Sequence, residues 1–211
     1  LLSLFLEEAK KAGCIISYDP NYRAPLWSSR EAAIEGMRSV LKMVDIIKIS
    51  DEETALLTGF ESPEEASKAL VDLGIKTVIV TKGPEGAIVR TKDGVITSPA
   101  LDVKAVDTTG AGDAFMGSFL WNVAGFGKAE IPLEKVQEFA DFSNKVLLII
   151  ILYVRISPKK LFGVLKMSKG IFENTIYENI QAMLFELKNR GKKLVVATSK
   201  PEVFTKKVLD H

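Results

Sequence analysis

The sequence predicts an α/β fold: an open, mostly parallel sheet with helices on both faces, followed by a shorter helix-strand-helix fragment toward the C-terminus. Three observations predict it. Amphipathic stretches at helical spacing alternate with short β-branched runs from Leu1 to Val80, the pattern of strand-helix-strand crossovers. The short runs are almost continuously apolar, as strands covered on both faces must be. With 211 residues and 47% hydrophobic content, the chain can bury one good core, or one and a fragment.

Leu1 to Ala12 carries apolar residues on one helical face and is stopped by Gly13. Cys14 to Tyr18 reads as a buried strand, and Ser28 to Met43 as a helix introduced by two serines. Asp45 to Ile49 is apolar and β-branched, Asp51 to Thr58 and Pro63 to Leu73 are helical, and Thr77 to Val80 is a short buried strand. Gly86 to Arg90 and Gly94 to Thr97, joined by Lys92-Asp93-Gly94, read as a hairpin. The run DTTGAGD, Asp107 to Asp113, then leads directly into the apolar helical stretch AFMGSFLWNVAGF. After Asn144 the pattern breaks: VLLIIILYVR has neither a clean period nor turn punctuation until Ser157-Pro158. Beyond it, Glu173 to Arg190 reads as a helix capped by Gly191 and leading to one more parallel strand. The expected organisation is therefore a first domain over 1–145, a junction over 146–170 and a C-terminal fragment over 171–211.

Charge and composition exclude several classes. Residues 1–144 carry 15 basic and 22 acidic side chains, whereas 145–211 carry 13 and 5. The basic tail has no stacking array of aromatics and no zinc spacing, so nucleic acid is not the expected partner. The long apolar run Val146 to Val154 falls short of the ~20 residues a membrane helix needs. Cys14 is the sole cysteine and His211 the sole, terminal histidine. An internal disulfide and histidine catalysis are thereby excluded, and a reducing cytoplasm is the expected location. No signal peptide is evident, and a first residue other than Met fits a truncated start.

The chemistry concentrates at DTTGAGD. Gly110, Ala111 and Gly112 are small enough for successive backbone N–H groups to converge on an oxyanion, and the helix behind adds its positive end. Asp113 stands where a base is wanted, because an alcohol is a poor nucleophile until its proton is taken. The pattern points to phosphoryl transfer onto a hydroxyl. Other segments have local explanations of their own. Asp19-Pro20-Asn21 can be a strand-ending turn, Ser50 with Glu53 a capping box, and Thr81-Lys82-Gly83 a strand exit. All three lie just beyond the carboxyl ends of predicted strands, where open α/β sheets place their ligands.

DTTGAGDAF resembles the C-terminal signature of the PfkB, or ribokinase-like, carbohydrate kinases. DPNYRAPLW (Asp19 to Trp27), KISDEE (Lys48 to Glu53), LLTG (Leu56 to Gly59) and TKGPEGA (Thr81 to Ala87) follow in that family's order, with a flavour closest to fructokinases. The likeness covers residues 1 to about 145. It implies an incomplete ribokinase-like sheet and ATP-dependent phosphorylation of a sugar hydroxyl with Mg2+. It further implies that Asp113 is the catalytic base, that Gly110, Ala111 and Gly112 form the anion hole, and that Glu53 closes an N-x-x-E motif near magnesium and phosphate. Thr81, Lys82, Gly83 and Gly86 would border the nucleotide, Asn144 would approach the adenine, and Asn21 with Arg23 would give a polar wall to the sugar. The first position of the N-x-x-E motif is Ser50 instead of asparagine. A K+ site beside Asp107 and Thr109 is also implied, although the loop that would complete it is lost at the junction.

The family's N-terminal half, which supplies most of the sugar pocket and its lid, is absent from this sequence. Nucleotide affinity with weak or no sugar turnover is therefore expected of the chain alone. A sheet lacking its first strands should expose an edge, so self-association, or pairing with a separate N-terminal half, is expected. The segment from Lys169 onward is similar to phosphoglycolate-phosphatase-like haloacid dehalogenase hydrolases through LVVATSKP, Leu194 to Pro201. That likeness would place Thr198 on a substrate phosphate. The D-x-D nucleophile, the later lysine and the acidic pair of that chemistry do not occur in 146–211. A non-catalytic nucleotide-binding fragment is the third reading.

Overall fold

The computed structural model describes residues 2–100, 110–156 and 194–198. They form two compact units, one from the described parts of 1–100, 128–138 and 194–198, the other from 110–127 and 139–156.

The first unit is built on a six-stranded sheet. Its strands are β1 (Ile15–Asp19), β2 (Ile46–Ser50), β3 (Thr77–Thr81), β4 (Ala87–Thr91), β5 (Gly94–Ser98) and β6 (Leu194–Thr198), in the spatial order β5-β4-β3-β2-β1-β6. The pairs β6–β1, β1–β2 and β2–β3 are parallel, while β3–β4 and β4–β5 are antiparallel. The expected hairpin is thus present as β4–β5, with Thr91 opposite Gly94. α1 (Leu2–Lys11) precedes β1, α2 (Arg30–Arg38) lies between β1 and β2, and α3 (Thr54–Thr58) and α4 (Pro63–Asp72) lie between β2 and β3.

Strand alternation sorts the core. Ile16, Tyr18, Ile47, Ile49, Val78, Val80 and Ile88 share one face and pack in a single cluster with Leu6 and Ala9 of α1, Ala33 and Met37 of α2, Leu56 and Leu57 of α3, and Leu70 of α4. Ile46, Ile79 and Val89 on the opposite face are equally buried. Burial on both faces is why β3 reads as an apolar run and β2 as one interrupted by Lys48 alone before its last residue.

Two expectations need correction. The helix predicted over Ser28 to Met43 spans only Arg30–Arg38. Ser29 does cap it, its hydroxyl accepting from the Ala32 N–H at 3.1 Å, and Ser39 closes it by donating to the Gly36 carbonyl at 2.7 Å. The chain then leaves the helical path because Val40, Leu41 and Val44 turn into the core, where each is nearly fully buried. Propensity loses to burial there.

The second correction concerns the aperiodic stretch after Asn144. It is helical as far as Ile156, within α6 (Leu133–Ile156). No glycine or proline interrupts residues 133–156, and Pro158 disfavours helical geometry at the residue before it. β6 pairs with β1 through five residues, from Ile15 opposite Leu194 to Asp19 opposite Thr198, and among the described residues it is the terminal strand on that side of the sheet. The predicted helix Glu173 to Arg190 lies outside the described residues.

The second unit holds α5 (Ala111–Phe126) and the part of α6 from Phe139 on. Phe139 meets Phe119 and Phe126 edge-on, with ring centroids 5.8 and 6.1 Å apart, the geometry aromatic quadrupoles favour.

Candidate functional site

In the first unit the predicted site residues gather at the carboxyl end of the parallel strands. β1 ends at Asp19, followed by Pro20, Asn21, Tyr22 and Arg23; β2 ends at Ser50, three residues before Glu53; β3 ends at Thr81, followed by Lys82 and Gly83. Register holds the strand ends level, with Ser50 opposite Thr81. The Thr81 hydroxyl donates to the Ile49 carbonyl at 3.3 Å, tying the two exits together.

Glu53 is the hub of this edge. It is only 6% exposed, and both carboxylate oxygens are engaged. Oε1 accepts from the Tyr22 N–H at 2.6 Å; Oε2 accepts from the Ser50 N–H at 2.8 Å and the Ser50 hydroxyl at 3.1 Å. The reach back to Ser50 is what the spacing predicted; the link to Tyr22 was not legible in it. With three acceptor positions filled, Glu53 has little capacity left for direct metal ligation. Among the described residues no group of three His, Cys, Asp or Glu side chains is arranged to hold a metal ion.

Asn21 takes a left-handed conformation, φ 45°, which asparagine tolerates better than most residues. Its N–H donates to Asp19 Oδ1 at 3.1 Å. Arg23 is exposed. Lys82 Nζ lies 3.4 Å from Glu85 Oε2, and its N–H donates to the Gly86 carbonyl at 2.7 Å. These bonds close the tight turn between β3 and β4.

Gly86 has a reason of its own to be glycine. Its φ is +93°, and a Cβ there would lie 2.2 Å from the Ser98 carbonyl oxygen and 2.5 Å from the Ala100 nitrogen. Gly86→Ala is therefore expected to destabilise the protein by about 2–4 kcal/mol through backbone strain and overpacking. Urea denaturation would check this, and an unchanged midpoint would contradict it.

One functional candidate was missed. Lys48, in the middle of β2, is 9% exposed and pairs with Asp19 Oδ2 at 3.2 Å. A lysine inside the run IIKIS was the available signal, since a buried ammonium requires a partner.

In the second unit, the GAG segment opens α5. Gly110 is the N-cap residue, with φ 79°, a left-handed geometry that only glycine enters without strain. Among the described residues, its chain neighbours and the helix backbone aside, nothing lies within 4 Å of where its Cβ would be. The helical ladder begins with the Ala114 N–H donating to the Gly110 carbonyl at 2.8 Å. The N–H groups of Gly110, Ala111, Gly112 and Asp113 therefore have no acceptor within the helix. They open the sixteen-residue helix α5, which adds the positive end of its dipole. Asp113 lies in the first turn with an exposed side chain. Small residues and backbone donors without helical acceptors suit an anionic oxygen. Asn144 lies on α6. Asp107, Thr108 and Thr109, and with them the K+ site, lie outside the described residues. Thr198 ends β6 opposite Asp19.

Comparisons with known proteins bear on the same residues. Residues 2–143 match the model of the pfkB family of carbohydrate kinases. The chain is 46% identical over 142 residues to fructokinase-2 of Zea mays, and likewise to fructokinase-2 of Oryza sativa subsp. japonica; each match covers 66% of this chain and 42% of the relative. Among solved structures, a double mutant of the Vibrio cholerae fructokinase bound to fructose, ADP and potassium aligns with a TM-score of 0.60 at 32% identity, covering 66% of this chain and 44% of that one. Aminoimidazole riboside kinase from Salmonella enterica aligns with a TM-score of 0.60 at 29% identity, covering 69% and 49%. The chain thus spans about two fifths of the length of the curated relatives it matches.

Proposed function

The chain belongs to the pfkB family of carbohydrate kinases, and from that premise we propose that it carries the phosphoryl-transfer half of a fructokinase-like enzyme. The reaction is ATP-dependent phosphorylation of a sugar hydroxyl. The observation that carries this reading is the opening of α5, where four N–H groups without helical partners meet an exposed Asp113 in one turn.

The N–H groups of Gly110, Ala111 and Gly112 would hold the oxygens of the transferred phosphoryl group and stabilise charge as it builds there. Asp113 would accept the hydroxyl proton of the sugar as the new oxygen–phosphorus bond forms. Thr81, Lys82, Gly83 and Gly86 would border the nucleotide, with Asn144 toward the base, and Asn21 and Arg23 would face the sugar. Magnesium, when bound, would offset phosphate charge. Glu53 would meet it through water, since its own oxygens already serve Tyr22 and Ser50. Support for ATP, Mg2+ and a potassium site comes from the family and from the fructose, ADP and potassium bound to the Vibrio protein. A cytoplasmic location fits the single unpaired Cys14. No helix among the described residues is long and apolar enough to cross a membrane.

The test is transfer itself. The chain is incubated with ATP, Mg2+ and fructose, alone and mixed with a separately made N-terminal half of a plant fructokinase, and phosphorylated fructose is followed by mass spectrometry. Transfer that appears or rises on mixing is expected. A mixture that associates yet transfers nothing would contradict the proposal.

A further inference from the structure

The loop Pro20–Arg23 hangs between two carboxylates. On one side Asp19 Oδ1 accepts from the Asn21 N–H at 3.1 Å; on the other Glu53 Oε1 accepts from the Tyr22 N–H at 2.6 Å. Each carboxylate is anchored to β2. Glu53 is anchored through Ser50 at the strand's end, whereas Asp19 is anchored through Lys48, whose Nζ lies 3.2 Å from Oδ2. Lys48 and Asp19 side chains are 11% and 15% exposed, so neither charge has water enough to compensate for losing the other. Asn21, between the two anchors, is the non-glycine residue of positive φ among the described residues, a conformation that lasts only where its surroundings impose it.

We propose that Lys48 is a positioning residue: by fixing the Asp19 carboxylate it holds Asn21 in its left-handed turn and so sets the loop that presents Arg23. The link to function rests on the reading above, in which Asn21 and Arg23 face the acceptor sugar. Lys48 touches no reacting atom in this scheme. Its effect passes through Asp19, and the Glu53 anchor is separate from it.

The test uses the full chain with Lys48→Met, which keeps the apolar stem and removes the charge, and Lys48→Arg, which keeps the charge. Amide hydrogen exchange is read residue by residue. In Lys48→Met the Asn21 amide is expected to exchange about tenfold faster or more, with Val78 to Val80 of β3 unchanged, because a local opening is released without global unfolding. Lys48→Arg is expected to restore the protection. Unchanged Asn21 protection in Lys48→Met, or loss spread evenly over β3, would overturn the positioning role.

A second readout separates this from the functional reading. In the mixture with a separately made N-terminal fructokinase half, fructose affinity should fall about tenfold in Lys48→Met while MgATP affinity stays within about twofold, as for a contact surface on one ligand only. Faster Asn21 exchange with intact fructose affinity would overturn the link to the sugar. If the unaltered chain mixed with that half binds no fructose, the proposed function is contradicted, and the exchange data alone decide the role of Lys48. Should Lys48→Met fail to fold, the double variant Lys48→Met with Asp19→Asn, which removes both charges, takes its place in the same measurements.

Discussion

Replacing Asp113 by asparagine is expected to lower ATP-dependent phosphorylation of fructose by roughly 10²–10⁴-fold, the usual contribution of a positioned general base. The amide occupies the same volume, keeps an oxygen toward the helix terminus, and cannot take a proton from the sugar. Asp113 is exposed and in the first turn of α5, so the substitution removes no buried contact. Nucleotide affinity should therefore stay within about threefold, since the backbone donors of Gly110 to Gly112 are untouched. The assay is initial-rate transfer by the mixture of the chain with an N-terminal fructokinase half, paired with calorimetry for MgATP. Undiminished turnover would show that the proton goes elsewhere.

Glu53→Ala is expected to produce the largest loss of stability among single site substitutions. It strands the Tyr22 and Ser50 N–H groups, which donate to Glu53 at 2.6 and 2.8 Å in a position only 6% exposed. Two part-buried donors losing a charged, buried acceptor should cost about 3–5 kcal/mol. For a chain of this size the midpoint of thermal unfolding should drop by roughly 10 °C. Glu53→Gln keeps an oxygen for one donor and should cost about half as much. If Glu53 served only a metal ion, both variants would unfold like the parent when magnesium and nucleotide are absent, and calorimetric melting in their absence distinguishes the two cases.

How much was legible beforehand follows from where each interaction sits along the chain. β2 and β3 were readable because burial on both faces leaves no polar alternation to confuse them with helix. The start of α5 was readable because a left-handed N-cap and a bare helix terminus both demand small residues, and GAG supplies them. The end of α2 was not readable, because it depends on Val40 and Leu41 finding a core assembled from distant strands. Local spacing announced the bond between Glu53 and Ser50. The bond from Tyr22, 31 positions away, and the Lys48–Asp19 pair, 29 positions apart, come only from the parallel register of β1 beside β2. Gly86, read as bordering the nucleotide, has in addition a steric cause that no local spacing announces, the Ser98 carbonyl at its back. The pairing of β6 with β1 was beyond reach as well, since a short apolar strand carries no label for the edge it will join.

The most direct measurement is a titration of the isotopically labelled full chain with MgATP, followed through its backbone amide resonances. Saturable shifts are expected to be largest at Gly110, Ala111 and Gly112, with the hairpin tip at Lys92 and Asp93 unmoved. Binding that leaves those three amides in place, or no binding at all, would contradict the assignment of the α5 terminus to the phosphate chain.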